Sequence, residues 1–514
     1  MGKFKTQVLI VGAGPTGLMA ANQLMRFGID FIIVDTKEGP TLESRAILTT
    51  ARSLEIYEQM GLSDEVVNNG KVMTSFKLMK RGKVRGTVEV GEIGKGMTAF
   101  GFILAFEQFK NEKILSDQLD KNGQSVWWST TYIKMLEYKE TVRAIVNRDG
   151  KEIEIESEYI IGAEGARSRI RHELDFTFKG GTYEQKFFVV DTEVKSEIPL
   201  NDLMIAPGKK NFCAIMPLTG DDNKRIIGTL PRKFSNKEDV TFKDIQDVVK
   251  NTLGMPISFE KVNWFSIYKL HHRAVDHFSE DRVFLAGDAA HIHSPAGGQG
   301  MNTGLQDAYN LCWKLAMVLK GHSPQKLLKT YNEERMPFAK WLLKFTDRGF
   351  TILTSQNIFV KFFRTFVALP MGAIMMKKDR LRRYAFPTIA QIGYSYQPHS
   401  LALDASDQNN SFNAGDRFPY FPEDNLYHKL NNPGFHLIHI GPNEMDVSLK
   451  DSIREEFSGP LFFVEDQNIE KWKKLGVNNE MFILVRPDNY ITFISDLPDK
   501  EQLNDYLKKV GLKA

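Results

Sequence analysis

Residues 7–11, QVLIV, form an unbroken apolar run that stops at glycine, LMAANQLMRF then repeats apolar residues at helical spacing, and DFIIVD is a second short apolar run. Short continuous runs mark strands buried on both faces, and the 3.6-residue period between them marks a helix. Residues 7–35 therefore predict a βαβ unit, with Gly28 as the helix stop. From Lys71 to about Thr98, and again from Gly180 to about Phe278, apolar positions alternate in short runs broken by Gly, Pro and Asn. That pattern predicts antiparallel strands. Helical spacing returns after each stretch, so the chain is expected to leave a parallel-sheet unit (1–73, 99–179 and 279–350) for a second sheet (74–98 and 180–278) and come back.

Residues 351–400 read as a helical connector. Its longest uncharged piece, TFVALPMGAIMM, holds a proline and is too short to cross a bilayer. A surface anchor there competes with a helix packed on the core with KKDRLRR as its solvated edge, and the packed helix is the commoner case. From residue 401 polar loops give way to FHLIHI, LFFVE, FILVRP and ITFIS, closed by the amphipathic EQLNDYLKKVGL, which predicts a last α/β unit over 401–514.

Composition narrows the function classes. The 514 residues are 42% hydrophobic and 25% charged, ordinary for a globular protein too long for one core. Sixty-seven basic and 64 acidic residues are well mixed at a net charge of +3, which leaves no electrostatic footprint for nucleic acid. Small molecules are the expected partners, with a monomer or homodimer as the assembly and no membrane. Cys213 and Cys312 form no CxxC pair, so neither a disulfide framework nor a thiolate metal site is indicated. With no charged leader ahead of QVLIVGAG, the reading is a cytoplasmic enzyme.

Chemistry gathers in glycine-rich segments. In GAGPTG, Gly12 permits a tight turn, Gly14 lets backbone approach a pyrophosphate, and Gly17 lets helix and strand pack closely. Pro15 and Thr16 open the helix whose N–H groups face phosphates, and Asp35 with Thr36 ends the next strand, where ribose hydroxyls would lie. An adenine dinucleotide follows, either FAD or NAD. GDAAHIHSPAGGQGMNTGLQDAYNLCWKLA decides between them: it places a second glycine-rich loop ahead of a helix with Leu305, Ala308, Leu311 and Leu315 on one face. NAD needs one such loop, whereas FAD adds a polyol and a flat ring that ask for an acceptor and bare backbone. Asp288 is assigned to the ribityl chain, Pro295, Gly298 and Gly300 to the isoalloxazine, and the N–H groups of Met301 and Asn302 to its N1 and C2 oxygen. A helix N-terminus there stabilises the negative charge of reduced flavin.

These segments resemble the single-component FAD-dependent aromatic hydroxylases, the class of p-hydroxybenzoate and phenol hydroxylases, over nearly the whole chain. GAGPTG is similar to the first family motif and GDAAHIHSPAGGQGMNTGLQDAYNLCWKLA to the third. IIGAEGARSRIR resembles the middle motif, which serves FAD and the nicotinamide cofactor and implies Glu164 and Gly165, although the family usually has Asp where Glu164 stands. SRAILTTARSLEIYEQMGL implies Arg45 beside the pyrophosphate, and QFKNEKIL implies Gln108 beside the ribityl chain. AGDRFP and FILVRPDNYITF resemble the terminal domain of the phenol and polyketide hydroxylase branch, which is thioredoxin-like; with no cysteine in it, dithiol chemistry is ruled out.

The resemblance implies an α/β fold: a Rossmann-like FAD-binding domain, an inserted antiparallel-sheet substrate domain and a C-terminal thioredoxin-like domain. It also implies that NADPH or NADH reduces FAD, that O2 adds at the flavin C4a, and that the hydroperoxide delivers OH to a phenolic or polyketide-like ring. Arg45 and Arg169 are the implied nicotinamide-cofactor contacts. To deprotonate a phenolic substrate, His271, His272 and Tyr268 in FSIYKLHHRAV are candidates beside the plainer reading of strand polar residues, and Arg225 and Arg273 are unassigned. Two alternatives stay open: a relative that oxidises or epoxidises without hydroxylating, and a flavin-binding structural or regulatory subunit. The histidines lack further ligands at defined spacing, so no metal is expected.

Overall fold

A computed structural model describes residues 2–513 except 43, 45, 209–210, 221, 295–297, 355–378, 425 and 497–499. Arg45, Pro295 and TFVALPMGAIMM lie outside the described residues. The elements used below are, first, β1 (Gly2–Val11), α1 (Pro15–Arg26), β2 (Phe31–Val34), α2 (Ala51–Gln59), α3 (Gln108–Lys121), β3 (Lys151–Gly162) and α4 (Arg169–Glu173). Then come β4 (Phe178–Ser196), β5 (Phe212–Pro217), β6 (Asn223–Thr229), α5 (Phe242–Leu253), β7 (Ile257–Val275), β8 (Val283–Leu285), β9 (His291–Ile292), α6 (Gln299–Leu319) and α7 (Lys329–Thr354). The last unit holds β10 (Phe435–Ile440), α8 (Val447–Glu456), β11 (Leu461–Asp466), β12 (Met481–Val485) and β13 (Ile491–Ser495).

The first sheet has seven strands: its core runs β8–β3–β1–β2, all parallel, and antiparallel strands flank it, Ser279–Glu280 on β8 and Val142–Arg148 on β3, the latter paired in turn with Thr130–Glu137. β1 starts at Gly2, five residues before the apolar run, because its exposed half pairs with β3 from Gly2↔Ile153 onward. Burial marks only the half that carries Val8, Leu9 and Ile10. Helices α1 and α6 pack on this sheet and on one another.

The second sheet has eight strands, beginning β9–β7–β4–β6–β5 and ending with Leu203–Pro207, Ser75–Lys80 and Lys83–Glu89. Its two faces have different neighbours. Phe188, Val190, Cys213, Ile215 and Ile226 pack under α5, an amphipathic helix started by a Thr241/Asp244 capping box and stopped by left-handed Gly254. On the other face Met216 and Leu218 meet Ile47, and Phe187 and Leu270 meet Phe350 of α7. That inner face therefore looks at the first unit. β9 was not foreseen: two residues of the second glycine segment join this sheet through Arg273↔Ile292 and Ala274↔His291.

In the last unit β10 and β11 are parallel and joined through α8, while β12 and β13 form an antiparallel hairpin beside β10. The unit is bolted to the first by buried charge. Arg486 donates to Glu334 and Asp488, Lys314 Nζ lies 2.7 Å from Glu334, and Arg417 lies 2.9 Å from Glu55 of α2. Arg52 of α2 donates to the Asp488 carbonyl, and Trp313 packs edge-on against Phe435 at 5.5 Å. Among the described residues no helix is long and apolar enough to cross a membrane.

Candidate active site

The carboxyl ends of the parallel strands are held level by backbone bonds: Gly12 N–H donates to Val34 O (2.8 Å), Ala163 N–H to Val11 O (2.8 Å) and Ala286 N–H to Gly162 O (3.0 Å). Ligands of open α/β sheets bind beyond such ends. The turns that leave these strands are the glycine segments, and their glycines fall into two groups. A Cβ on Gly12 would sit 2.4 Å from the Ala163 carbonyl oxygen, and one on Gly17 would sit 1.8 Å from that of Gly12. On Gly287 it would meet Thr16 Oγ1 at 2.4 Å, and on Gly304 the same atom at 2.2 Å. These glycines let the first and third segments close on each other around Thr16. Gly14, Gly165 and Gly300 would meet nothing within 4 Å. Their bare backbone faces open space, the cradle a pyrophosphate and a flat ring require.

Side chains around the turns do more than was expected of them. Asp35 accepts from the N–H of Ala13 (2.6 Å) and of Lys37 (2.8 Å), so it holds the Gly12 turn in shape; Thr36 is exposed. Pro15 occupies the first turn of α1, where its missing N–H costs nothing. Gln108 accepts from Ala46 N–H (3.2 Å) and donates to Glu112 (2.9 Å), which fixes the chain next to Arg45. Glu112 also takes Thr41 N–H at 2.7 Å and Lys37 Nζ at 3.1 Å, contacts the sequence pattern did not reveal.

Glu164 turns back on its own helix: it accepts from the Ser168 hydroxyl and from Arg169 N–H at 3.0 Å, capping α4. Burial pushes its carboxyl up to about 7, against the lowering effect of those two bonds. Asp288 is exposed on the turn after β8. Gly298, at φ +66°, starts α6 with its Cα against Leu48.

The start of α6 shifts the expected pair of amides by one position. Asn302 is its fourth residue, where intrahelical bonding has begun, so Gly300 and Met301 carry the amides that the helix itself leaves over. The buried Asn302 side chain instead accepts from Thr50 N–H (2.9 Å) and Ser53 Oγ (2.7 Å) and donates to the Leu48 and Gly298 carbonyls (2.8 Å each). It clamps α6 to the start of α2. Behind it, buried Asp307 accepts from Gly287 N–H (3.0 Å), His291 Nε2 (2.6 Å) and Arg335 Nε (2.8 Å). Burial alone would raise this carboxyl; His291 and Arg335 overcome it and hold it at about 2. His293 in turn bonds His291 at 2.9 Å. An acid inside the apolar stripe Leu305, Ala308, Leu311 was the available signal, because a buried charge needs a partner.

The three residues proposed from sequence as substrate bases do not share one face of the sheet. Cross-strand pairing puts Tyr268 opposite Phe187 and Trp264 opposite Asp191, on the inner face. His271 projects from the other face, with its Nδ1 2.8 Å from the Thr182 hydroxyl. The inner face also carries buried Arg225, whose guanidinium lies 2.7 and 2.6 Å from the Asp191 oxygens and over the Trp264 ring.

Residues 5–346 match the FAD binding domain family. The chain belongs to that family. Its cofactor is FAD, and the bare backbone at Gly14, Gly165 and Gly300 fits it. The family members most like this chain include 6-methylpretetramide 4-monooxygenase of Streptomyces rimosus, 31% identical over 412 residues, 80% of this chain and 72% of that enzyme. Pentachlorophenol 4-monooxygenase of Sphingobium chlorophenolicum is 28% identical over 519 residues, 94% of this chain and 93% of that one. The ternary complex of aklavinone-11 hydroxylase with FAD and aklavinone shares the fold at a TM-score of 0.82 and 22% identity, over 99% of both chains. This member of the FAD binding domain family is a flavin-dependent monooxygenase.

Proposed function

We propose that this FAD-dependent monooxygenase uses NAD(P)H and O2 to hydroxylate an aromatic, phenolic or polyketide-like molecule held against the inner face of the second sheet. One observation carries the reading: Leu48 packs on Gly298 at the start of α6 and, with Ile47, on Met216 and Leu218 of that face, so the ring-binding turn and the sheet share a wall. Trp264 and Tyr268 give the face an aromatic surface suited to flat substrates, while Phe187 is buried against Phe350. The relatives act on pentachlorophenol and 6-methylpretetramide, which supports the substrate class.

Gly12, Gly14, Pro15, Thr16 and Gly17 would line the phosphates, Asp35 and Thr36 the ribose, and Arg45, Gln108, Asp288, Glu164 and Gly165 the pyrophosphate and ribityl chain. Pro295, Gly298, Gly300, Met301 and Asn302 would border the ring. Bound FAD supplies hydride acceptance and O2 activation. The α6 N-terminus stabilises negative charge at the ring without reorganisation. The sheet excludes water, which keeps activated oxygen for the substrate. The strand order β11–β10–β12–β13 supports a thioredoxin-like last unit, whose buried contacts to Glu334 and α2 fit a structural role.

The test is NAD(P)H oxidation by the FAD-loaded protein across a panel of phenols and polyketides under labelled O2. Stimulated oxidation with label in the product is expected. Oxidation without labelled product would identify a non-hydroxylating enzyme, and no stimulation by any compound would identify a binding subunit.

A further inference from the structure

Helix α7 has two unlike sides. Phe338, Ala339, Leu342, Thr346 and Phe350 are buried, and Phe350 packs on Phe187 and Leu270 of the second sheet. Asp347 borders that side: the Tyr183 hydroxyl donates to it, and it lies 3.8 Å from Nδ1 of His272, the histidine of the inner face. The helix therefore lies along the inner face. Its opposite side carries Lys340, Lys344 and Arg348 at i, i+4 and i+8, one exposed row of positive charge. No described carboxylate pairs with any of the three. Trp341 and Phe345 form a second row beside it, 38% and 44% exposed, with their rings stacked at 5.7 Å. Phe338 and Tyr394 also touch the Trp341 ring, at 5.8 and 5.6 Å, and hold the pair in place.

A row of cations flanking a row of aromatic rings is the make-up of helices that lie at a lipid interface. The rings enter at headgroup level, while lysine and arginine lay their stems on apolar surface and reach anionic headgroups. A second copy of the chain fits poorly, because a two-fold contact of this side with itself would set cation against cation. The next described helix along the chain, Asp379–Ile389, repeats the pairing: Arg383 is exposed next to Tyr384, which is 82% exposed.

We propose that the outer side of α7 docks the enzyme on a bilayer surface rich in anionic lipids, with Lys340, Lys344 and Arg348 on the headgroups and Trp341 and Phe345 inserted beside them. The contact is peripheral, since among the described residues no helix is long and apolar enough to cross a membrane. The expectation of no membrane partner rests on span length and net charge, and neither registers five residues on one side of one helix. Docking sets lipid against the helix that lines the inner face, which suits an aromatic substrate that partitions into membranes. That consequence rests on the proposed function; the docking does not.

The experiment sediments FAD-loaded protein with sucrose-filled vesicles of phosphatidylglycerol and phosphatidylcholine in equal parts, and with vesicles of phosphatidylcholine alone. Binding to the anionic vesicles should be about ten-fold or more tighter, and should be lost between about 0.05 and about 0.5 M NaCl. Lys340→Glu, Lys344→Glu and Arg348→Glu together should weaken it about ten-fold or more, and Trp341→Ser with Phe345→Ser about three-fold or more, with FAD uptake within about two-fold of the parent. Should charge reversal impair FAD uptake, the neutral set Lys340→Gln, Lys344→Gln and Arg348→Gln reads the same loss. No preference for anionic vesicles would overturn the docking, as would a charge-altered protein that binds them like the parent. A concentration-dependent dimer abolished by Trp341→Ser and Phe345→Ser would overturn it in favour of a second copy. None of these readings uses turnover, so a failure of the proposed function would leave them standing.

Discussion

Gly304→Ala tests whether Thr16 really joins the two glycine segments. By helix propensity alone the change should stabilise α6, because alanine in a helix interior is favoured over glycine by about 1 kcal/mol. The structure predicts the opposite sign. The new methyl would lie 2.2 Å from Thr16 Oγ1 and 3.3 Å from Gly287 Cα, and Thr16 is β-branched and stiff. Overlap of about 1 Å pushes α1 and α6 apart at their N-termini, at a cost typical of overpacking, about 1–3 kcal/mol. Thr16→Ala removes the obstructing oxygen, so the double variant should recover about 1–2 kcal/mol, or about 5–30-fold in FAD affinity. FAD titration of the parent, both single variants and the double variant reads the cycle. Normal FAD affinity in Gly304→Ala, or a double variant no better than Gly304→Ala, would refute the convergence of the two segments on Thr16.

Gly14→Ala should leave the melting temperature of FAD-free protein within about 2 °C, since its Cβ meets nothing and its φ is −79°, yet weaken FAD about ten-fold or more in a flavin titration. Glu334→Gln leaves buried Lys314 without its carboxylate and Arg486 with Asp488 alone, and should cost about 3 kcal/mol or more in urea unfolding. His436 is fully buried with neither ring nitrogen bonded; burial and then Arg26 depress it to about 3. Between pH about 6.5 and about 3 the unfolded chain binds a proton that the folded chain refuses, so stability falls with decreasing pH by up to about 1.4 kcal/mol per unit. His436→Leu should flatten that slope in denaturant midpoints measured from pH 7 to 5.

The parallel core was legible because apolar runs and glycine spacing are local, and the antiparallel sheet because alternation is local too. What each glycine does was only partly legible. Gly14 and Gly304 look alike in a string of letters, yet one faces open space and the other a threonine of a distant helix. Glu164 was legible as a carboxylate near the middle motif, whereas its capping bond depends on Ser168, four residues on, a pattern that competes with any ligand. Strand parity could separate His271 from His272, but which parity faces inward depends on Phe350, a helix away. The reach of the last unit into the first was invisible to periodicity, although buried Asp307 and Lys314 within an apolar helix announced that partners had to arrive from elsewhere.

The bond from Arg486 to Glu334 has a temporal side during synthesis. Glu334 and Lys314 emerge from the ribosome well before the arginine and aspartate that complete their cluster, by about 10–30 s at translation rates of about 5–20 residues per second. For that interval the cofactor-binding portion carries charged groups whose final burial must wait. Slowing elongation between the codons of Glu334 and Arg486 should therefore lengthen the period in which nascent chains depend on chaperones, while silent changes upstream of Lys314 should not.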